Sequence, residues 1–275
     1  MEIYLQAVIM GIAQGLTEFL PISSSGHLII IPFLFGWNDP YITSLNFSVL
    51  LNIGTLAALL IYFAADWRRL IPAGLAAIRD RSFHDDPDRK LAWLLLVASI
   101  PAALAGFLFS GFFETTVHGI GVVAVMLVIG AGIMWAADRW GGQAKGVGDV
   151  SFPMAVGLGA AQALALIPGI SRSGISISAA RFAGLDRESA ARFSFLMATP
   201  IVFGAVLFES RKLFGADGGT DVPLGPLIAG TFASFVAGVL AIRVLLGYLR
   251  GHSLMIFVAY RLVLAAIIVV VWLAR

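Results

Sequence analysis

GIAQGLTEFLPISSSGH, residues 11–27, is an apolar run broken by a proline and a cluster of hydroxyls, and it returns as GAAQALALIPGISRSGI at 159–175. Gly11, Ala13, Gln14, Leu16, Ile22, Ser23, Ser25 and Gly26 of the first stretch recur as Gly159, Ala161, Gln162, Leu164, Ile170, Ser171, Ser173 and Gly174 of the second. In the same register Phe47, Ile53, Ala57 and Leu59 fall on Phe195, Ile201, Ala205 and Leu207. The duplication therefore reaches past the motif, to halves of about 1–138 and 149–275 within a single domain spanning 1–275. The differences carry as much as the matches. Glu18, Ser24 and His27 of the first copy face Leu166, Arg172 and Ile175 of the second, so one copy is anionic and nucleophilic and the other cationic.

The surroundings of the motif say where it sits. At 59% hydrophobic and 12% charged residues, with a mean hydropathy of +0.94, the chain is too apolar for a soluble globule of 275 residues. No alternating pattern suggests a barrel, whereas several apolar runs reach the roughly 20 residues that cross hydrocarbon as helix. Six spans are expected, at about 45–65, 91–109, 119–137, 189–208, 225–246 and 254–273. The two motif segments fit no simple span. A break in a membrane helix frees backbone groups that lipid cannot satisfy, so it must face protein or a water-filled cavity, and each segment reads as a re-entrant helical hairpin. There is no cysteine, hence no disulfide or thiolate metal site. The opening MEIYLQAVIMGIAQG has no basic region and is interrupted by Gln14 and Glu18, unlike a cleaved signal peptide.

Charge placement sets the orientation. Arg68, Arg69, Arg79, Arg81, Arg89 and Lys90 put the 66–90 segment in the cytoplasm by the positive-inside rule. Propagated from there, 139–145, 187–192 and 243–252 lie inside, and the loops around Glu114 and 209–221 outside. Each half is then one hairpin plus three spans, and an odd number of spans inverts the second copy. The expected fold is an all-α integral membrane protein with six transmembrane helices and two re-entrant hairpins in an inverted-topology repeat. The Gly-rich span 225–246 leaves room for a homodimer.

Gln14 and Glu18, four apart, share a helix face, and a carboxylate in an apolar segment marks function by default. After Pro21 the run Ser23, Ser24, Ser25, Gly26, His27 reads as a helix start whose free amides suit phosphate. Ser24 and His27, three apart, have the reach of a hydroxyl nucleophile and its general base. PGISRSG at 168–174 repeats the helix start with Arg172 in place of Ser24, and guanidinium matches phosphate oxygens best. An internal salt bridge to Glu18 is the alternative for Arg172. Substrate contacts are expected at Ser23, Ser25, Gly26, Ser171, Ser173 and Gly174. Arg261 reads as a packing or snorkelling residue, Arg181, Arg187 and Arg192 as topology determinants, and His84, His118 and His252 as loop residues. Two helix starts, an arginine, a histidine and hydroxyls in hydrocarbon suit a lipid with more than one phosphate. No nucleotide-binding fingerprint is present, and no nucleic-acid partner is expected.

With Gln14 to Glu18, PISSSGH at 21–27 and PGISRSG at 168–174, the chain resembles the bacterial undecaprenyl-diphosphatase family of the bacitracin-resistance type over essentially its whole length. The resemblance implies hydrolysis of undecaprenyl diphosphate to undecaprenyl phosphate in the bacterial cytoplasmic membrane, recycling the carrier lipid for peptidoglycan. It also implies a divalent cation, Mg2+ or Ca2+. Gln14 stands where many members carry a first glutamate, so Glu18, the Gln14 carbonyl and substrate oxygens are the expected cation partners. On this reading Ser24 attacks the terminal phosphorus with His27 as base; the rival route is a water activated by Glu18 or His27. Architecture alone also admits a polyprenyl-phosphate transporter or flippase, since inverted repeats with broken helices are common among carriers.

Overall fold

The computed structural model describes residues 1–83, 85–116, 119–214 and 223–274. Eleven α-helices are found there, α1 (Glu2–Phe19), α2 (Ser24–Phe35), α3 (Leu45–Tyr62), α4 (Ala64–Asp80), α5 (Pro87–Thr116), α6 (Ile120–Trp140), α7 (Phe152–Ala163), α8 (Arg172–Phe182), α9 (Arg187–Phe214), α10 (Leu224–Leu249) and α11 (Met255–Ala274). Five of them are long and apolar enough to cross a membrane, or six if the bent pair α3–α4 counts as one span. Their outward faces carry Phe107, Val125, Ile129, Phe232, Val244 and Val270, all exposed. Apolar side chains turned outward on several neighbouring helices are what a hydrocarbon solvent selects.

Both motif breaks have the same local cause. A residue before proline is pushed out of the helical region, and Leu20 ends α1 in an extended conformation ahead of Pro21. Ile167 does the same ahead of Pro168. The new helices then start from serines with positive φ, 76° at Ser23 and 75° at Ser171. Each side chain accepts a hydrogen bond from the amide three residues on, Gly26 at 3.3 Å and Gly174 at 3.1 Å. A non-glycine residue in that region costs about 1–3 kcal/mol and persists only where its surroundings over-determine it.

One sequence expectation changes. The segment read as a cytoplasmic loop is largely helical: α4 turns by 82° from α3 at Phe63. Trp67, Leu70, Ile71, Gly74, Leu75 and Ile78 recur at helical spacing along one side of it and line an apolar groove against α5, which the arginines between them obscured. Its charges are paired at the surface: Arg69 with Asp66 and Asp88, and Arg89 with Asp80. Hydrogen bonds from Arg79 and Arg89 hold the Asp80 carboxyl below its usual range. Exposed pairs of this kind contribute little stability and build no site.

Helices from the two ends of the chain interleave. α1 packs along α10 and α7 along α5, while α10 also lies against α3 and α9 against α5. The α1–α10 and α3–α10 contacts are made backbone to backbone. A Cβ at Gly11 would meet the Gly230 carbonyl, one at Gly15 the Ser234 carbonyl, and one at Gly54 the Thr231 carbonyl. Gly230 and Gly238 of α10 are thus occupied by α1 and α3 of the same chain, and they offer no face to a second copy.

Candidate active site

The two breaks meet. Ser173 Oγ donates to the Leu20 carbonyl at 3.2 Å, and the Gly169 amide donates to Ser23 Oγ at 3.2 Å. The first residue of α8, Arg172, forms an ion pair with Glu18 at the end of α1. The first residue of α2, Ser24, donates its hydroxyl to the other oxygen of that same carboxylate. Gln14 Nε2 donates to Glu18 at 3.0 Å and to Asn52 Oδ1 of α3 at 2.9 Å. Glu18 is therefore the hub, bonded to a hydroxyl, a guanidinium and an amide from three different helices.

This cluster lies on the wall of a cavity of about 600 Å³. Gln14, Glu18, Ser24, Ser25 and Arg172 line it together with Leu28, Ile29, Pro32, Val49, Ala102, Leu166, Ile201, Val202 and Ala205. A lining that combines these polar groups with many aliphatic ones suits an anionic headgroup with a hydrocarbon tail.

Several residues expected to touch substrate are bonded within the scaffold. Ser23, Gly26, Ser171 and Gly174 make the two helix caps, and Ser173 ties α8 to Leu20. None of the five lines the cavity, whereas Ser25 does. His27 is held by two hydrogen bonds. Its Nδ1 lies 2.7 Å from the Ser23 carbonyl, which can only accept, so Nδ1 carries the proton and Nε2 takes the Tyr260 hydroxyl at 2.8 Å. The ring stacks near Tyr260, and it is not on the cavity wall. Three-residue spacing put Ser24 and His27 on one side of a helix. The imidazole, however, leans back over the N-terminal turn, as helical side chains do, and the partner of Ser24 is Glu18.

Arg261, read from sequence as a packing residue, is fully buried and joins both breaks. Its guanidinium donates to Gly169 at 2.6 Å, Ile170 at 3.0 Å, Pro21 at 3.5 Å, and Leu127 and Met126 of α6 at 3.2 and 3.3 Å, all backbone carbonyls. The carbonyls of Pro21, Gly169 and Ile170 are groups a broken membrane helix leaves unsatisfied, so Arg261 is a positioning residue. Gly130 makes room for it, because a Cβ there would run into the guanidinium. Arg261→Met should lower the melting temperature in detergent and turnover together, by at least about tenfold in turnover, since several buried carbonyls lose their donor. Gly130→Ala should imitate it without touching the arginine, and unchanged melting in both variants would discard the clamp.

Tyr260 and Asn52 escaped the sequence reading. The available signal was a polar residue inside an apolar run, LLNIGTL for Asn52 and VAYRLVL for Tyr260. Arg181, taken as a topology determinant, is fully buried and donates to the carbonyls of Gly142, Leu185 and Gly141. Arg187 pairs with Asp138 and Arg192 with Asp66. His252 bonds the Tyr248 carbonyl; His84 and His118 lie outside the described residues.

Known proteins match this chain along nearly its whole length. The family model described as bacitracin resistance protein BacA matches residues 7–267. The chain is 44% identical over 272 residues to the undecaprenyl-diphosphatase of Desulforudis audaxviator, covering 98% of each chain. It is 44% identical to that of Moorella thermoacetica, over 98% of this chain and 99% of the relative. With that of Gemmatimonas aurantiaca it shares 40% identity over 96% of each. A match of this extent, running through both broken helices and the clamp at Arg261, places the chain in the bacitracin resistance protein BacA family.

Proposed function

We propose that this protein is a membrane-embedded diphosphatase that hydrolyses undecaprenyl diphosphate to undecaprenyl phosphate and inorganic phosphate, the activity named for its relatives. The observation that carries the reading is Glu18, bonded at once to Ser24 and Arg172 across two helix breaks on the wall of a cavity of about 600 Å³. A carrier has no need of a hydroxyl held against a carboxylate.

The terminal phosphoryl group takes Arg172 away from Glu18, since phosphate matches the guanidinium fork as well as a carboxylate does. Ser24 Oγ attacks phosphorus and passes its proton to Glu18; the bond to the bridging oxygen breaks, and prenyl phosphate leaves. The departing prenyl phosphate takes that proton from Glu18, which then accepts one from a water attacking the phosphoryl-serine. The phosphorus–Oγ bond breaks, Glu18 returns the proton to Ser24 Oγ, and inorganic phosphate leaves. Arg172 and the positive ends of α2 and α8 offset the charge on the transferring group. His27 holds the first turn of α2 in place through Ser23 and Tyr260.

A divalent cation, Mg2+ or Ca2+, fits the donor set. Glu18, Gln14 Oε1 and Asn52 are hard oxygen donors, and Gln14 uses only its nitrogen in the bonds above. Among the described residues no three His, Cys, Asp or Glu side chains gather to grip an ion alone, so Glu18 and Gln14 would share it with phosphate oxygens. When bound, the ion supplies charge neutralisation on the diphosphate.

The membrane arrangement belongs to the same proposal: six spans, two re-entrant hairpins and inverted halves in a bacterial cytoplasmic membrane, where the product re-enters peptidoglycan synthesis. The exchanged packing, α1 on α10 and α7 on α5, supports a two-fold relation between the halves. Two experiments test it. Purified protein in detergent should release phosphate from farnesyl diphosphate; none would favour a carrier. Single cysteines replacing Arg79 and Lys145 of this cysteine-free chain should resist an impermeant thiol reagent in intact cells, while one replacing Glu114 labels. Labelling of Arg79 and Lys145 positions from opposite faces would make the repeats parallel.

A further inference from the structure

The cavity has a polar group that the chemistry above leaves idle. Gln162, near the C-terminal end of α7, is 2% exposed and lines the same cavity as Glu18, Ser24 and Arg172. Neither its Nε2 nor its Oε1 has a hydrogen-bond partner. Burying an amide in that condition is costly and calls for a reason.

The sequence explains why the protein itself does not satisfy it. Gln162 stands in the second motif copy where Gln14 stands in the first. Gln14 bonds Glu18 and Asn52. In the register of the repeat those two partners become Leu166 and Pro200, neither of which has a side chain able to bond an amide. The glutamine is kept while both of its partners are gone.

We propose that Gln162 is the recognition group for the phosphoryl group that stays on the lipid, its Nε2–H donating to that group's oxygens. This rests on the diphosphatase reading. Ser24, Glu18 and Arg172 form one bonded cluster and serve one phosphoryl group, the transferred one. A diphosphate brings a second, and it must be met by another lining group. The Thr43 and Ser48 hydroxyls donate to the carbonyls of Asp39 and Ser44, Asn52 takes Gln14, and Ser25, next to Ser24 on the first turn of α2, has its Oγ 3.5 Å from Ser23 Oγ. Gln162 remains, with two N–H groups and no competitor for them.

The test uses farnesyl phosphate, farnesyl diphosphate and inorganic phosphate with full-length protein in detergent. Gln162→Met keeps the volume and removes the amide. It should weaken farnesyl phosphate binding and raise KM for farnesyl diphosphate about ten- to a hundredfold, the scale of one hydrogen bond to a charged group. Competition by inorganic phosphate should stay unchanged. Melting without ligand should be equal or higher, because an unpartnered buried amide has been replaced by apolar atoms. Gln162→Glu, which turns a negative charge toward phosphate, should bind farnesyl phosphate at least as poorly. Wild-type affinity for farnesyl phosphate in either variant overturns the assignment, as does an equal loss toward inorganic phosphate. Lower melting in both variants also overturns it, by making Gln162 a packing residue. Binding needs no turnover, so a wild-type protein that releases no phosphate refutes the diphosphatase reading separately.

Discussion

Glu18→Gln should lower turnover of farnesyl diphosphate by about 10²- to 10⁴-fold, the range for loss of a positioned proton acceptor. The substitution preserves shape, and its amide can still bond Ser24 or Gln14, so the cavity keeps its walls. What disappears is the group that takes the Ser24 proton, along with the anion that pairs with Arg172. The second loss gives the variant a signature. With Arg172 freed from its internal partner, phosphate-bearing ligands should bind at least as tightly as to wild type. A lowered kcat with an unchanged or lowered KM separates this role from general damage, which raises KM. Turnover within tenfold of wild type would remove Glu18 as the acceptor and leave a distinct group to find.

Arg172→Lys should cost at least about a hundredfold in kcat/KM, although charge is retained. An ammonium is a point charge on a flexible stem and does not reproduce the fork that holds two phosphate oxygens. Arg172→Met should be worse still, because it also leaves the Glu18 carboxylate without its cationic partner. Steady-state kinetics on folded, purified variants decides the matter. Near-normal activity in Arg172→Met would dissolve the idea that the two breaks build one site, since Arg172 is the only cavity-lining charge that α8 contributes.

Much of this was legible in residue order. The paired breaks could be placed because Pro21 and Pro168 act through local sterics, and the meeting of Glu18, Ser24 and Arg172 followed from two copies differing in charge. The internal pair Glu18–Arg172, weighed from sequence as an alternative to phosphate binding, is present, and it is compatible with both roles because it faces the cavity. Less legible were contacts set by rotamer and by distant packing. Whether His27 turns toward Ser24 or back toward Ser23 depends on Tyr260, more than two hundred residues away. The clamp at Arg261 depends on Gly130, whose missing Cβ means nothing until α6 and α11 are side by side. The bend before α4 was hidden because its arginines resemble a loop more than a helix lying across the end of a span.

The interleaving of helices bears on motion. An alternating-access carrier opens first to one side and then to the other by rocking one bundle of helices against another, which requires a seam along which the bundles can part. Here α1 is pressed to α10, and α3 to α10, through glycines that meet the α10 carbonyls of Gly230, Ser234 and Thr231. α7 is laid along α5, so each end of the chain grips the other. Among the described residues no seam divides the early helices from the late ones. A scaffold knitted in this way does not part between the two halves of the chain, so any opening would have to carry helices of both halves together.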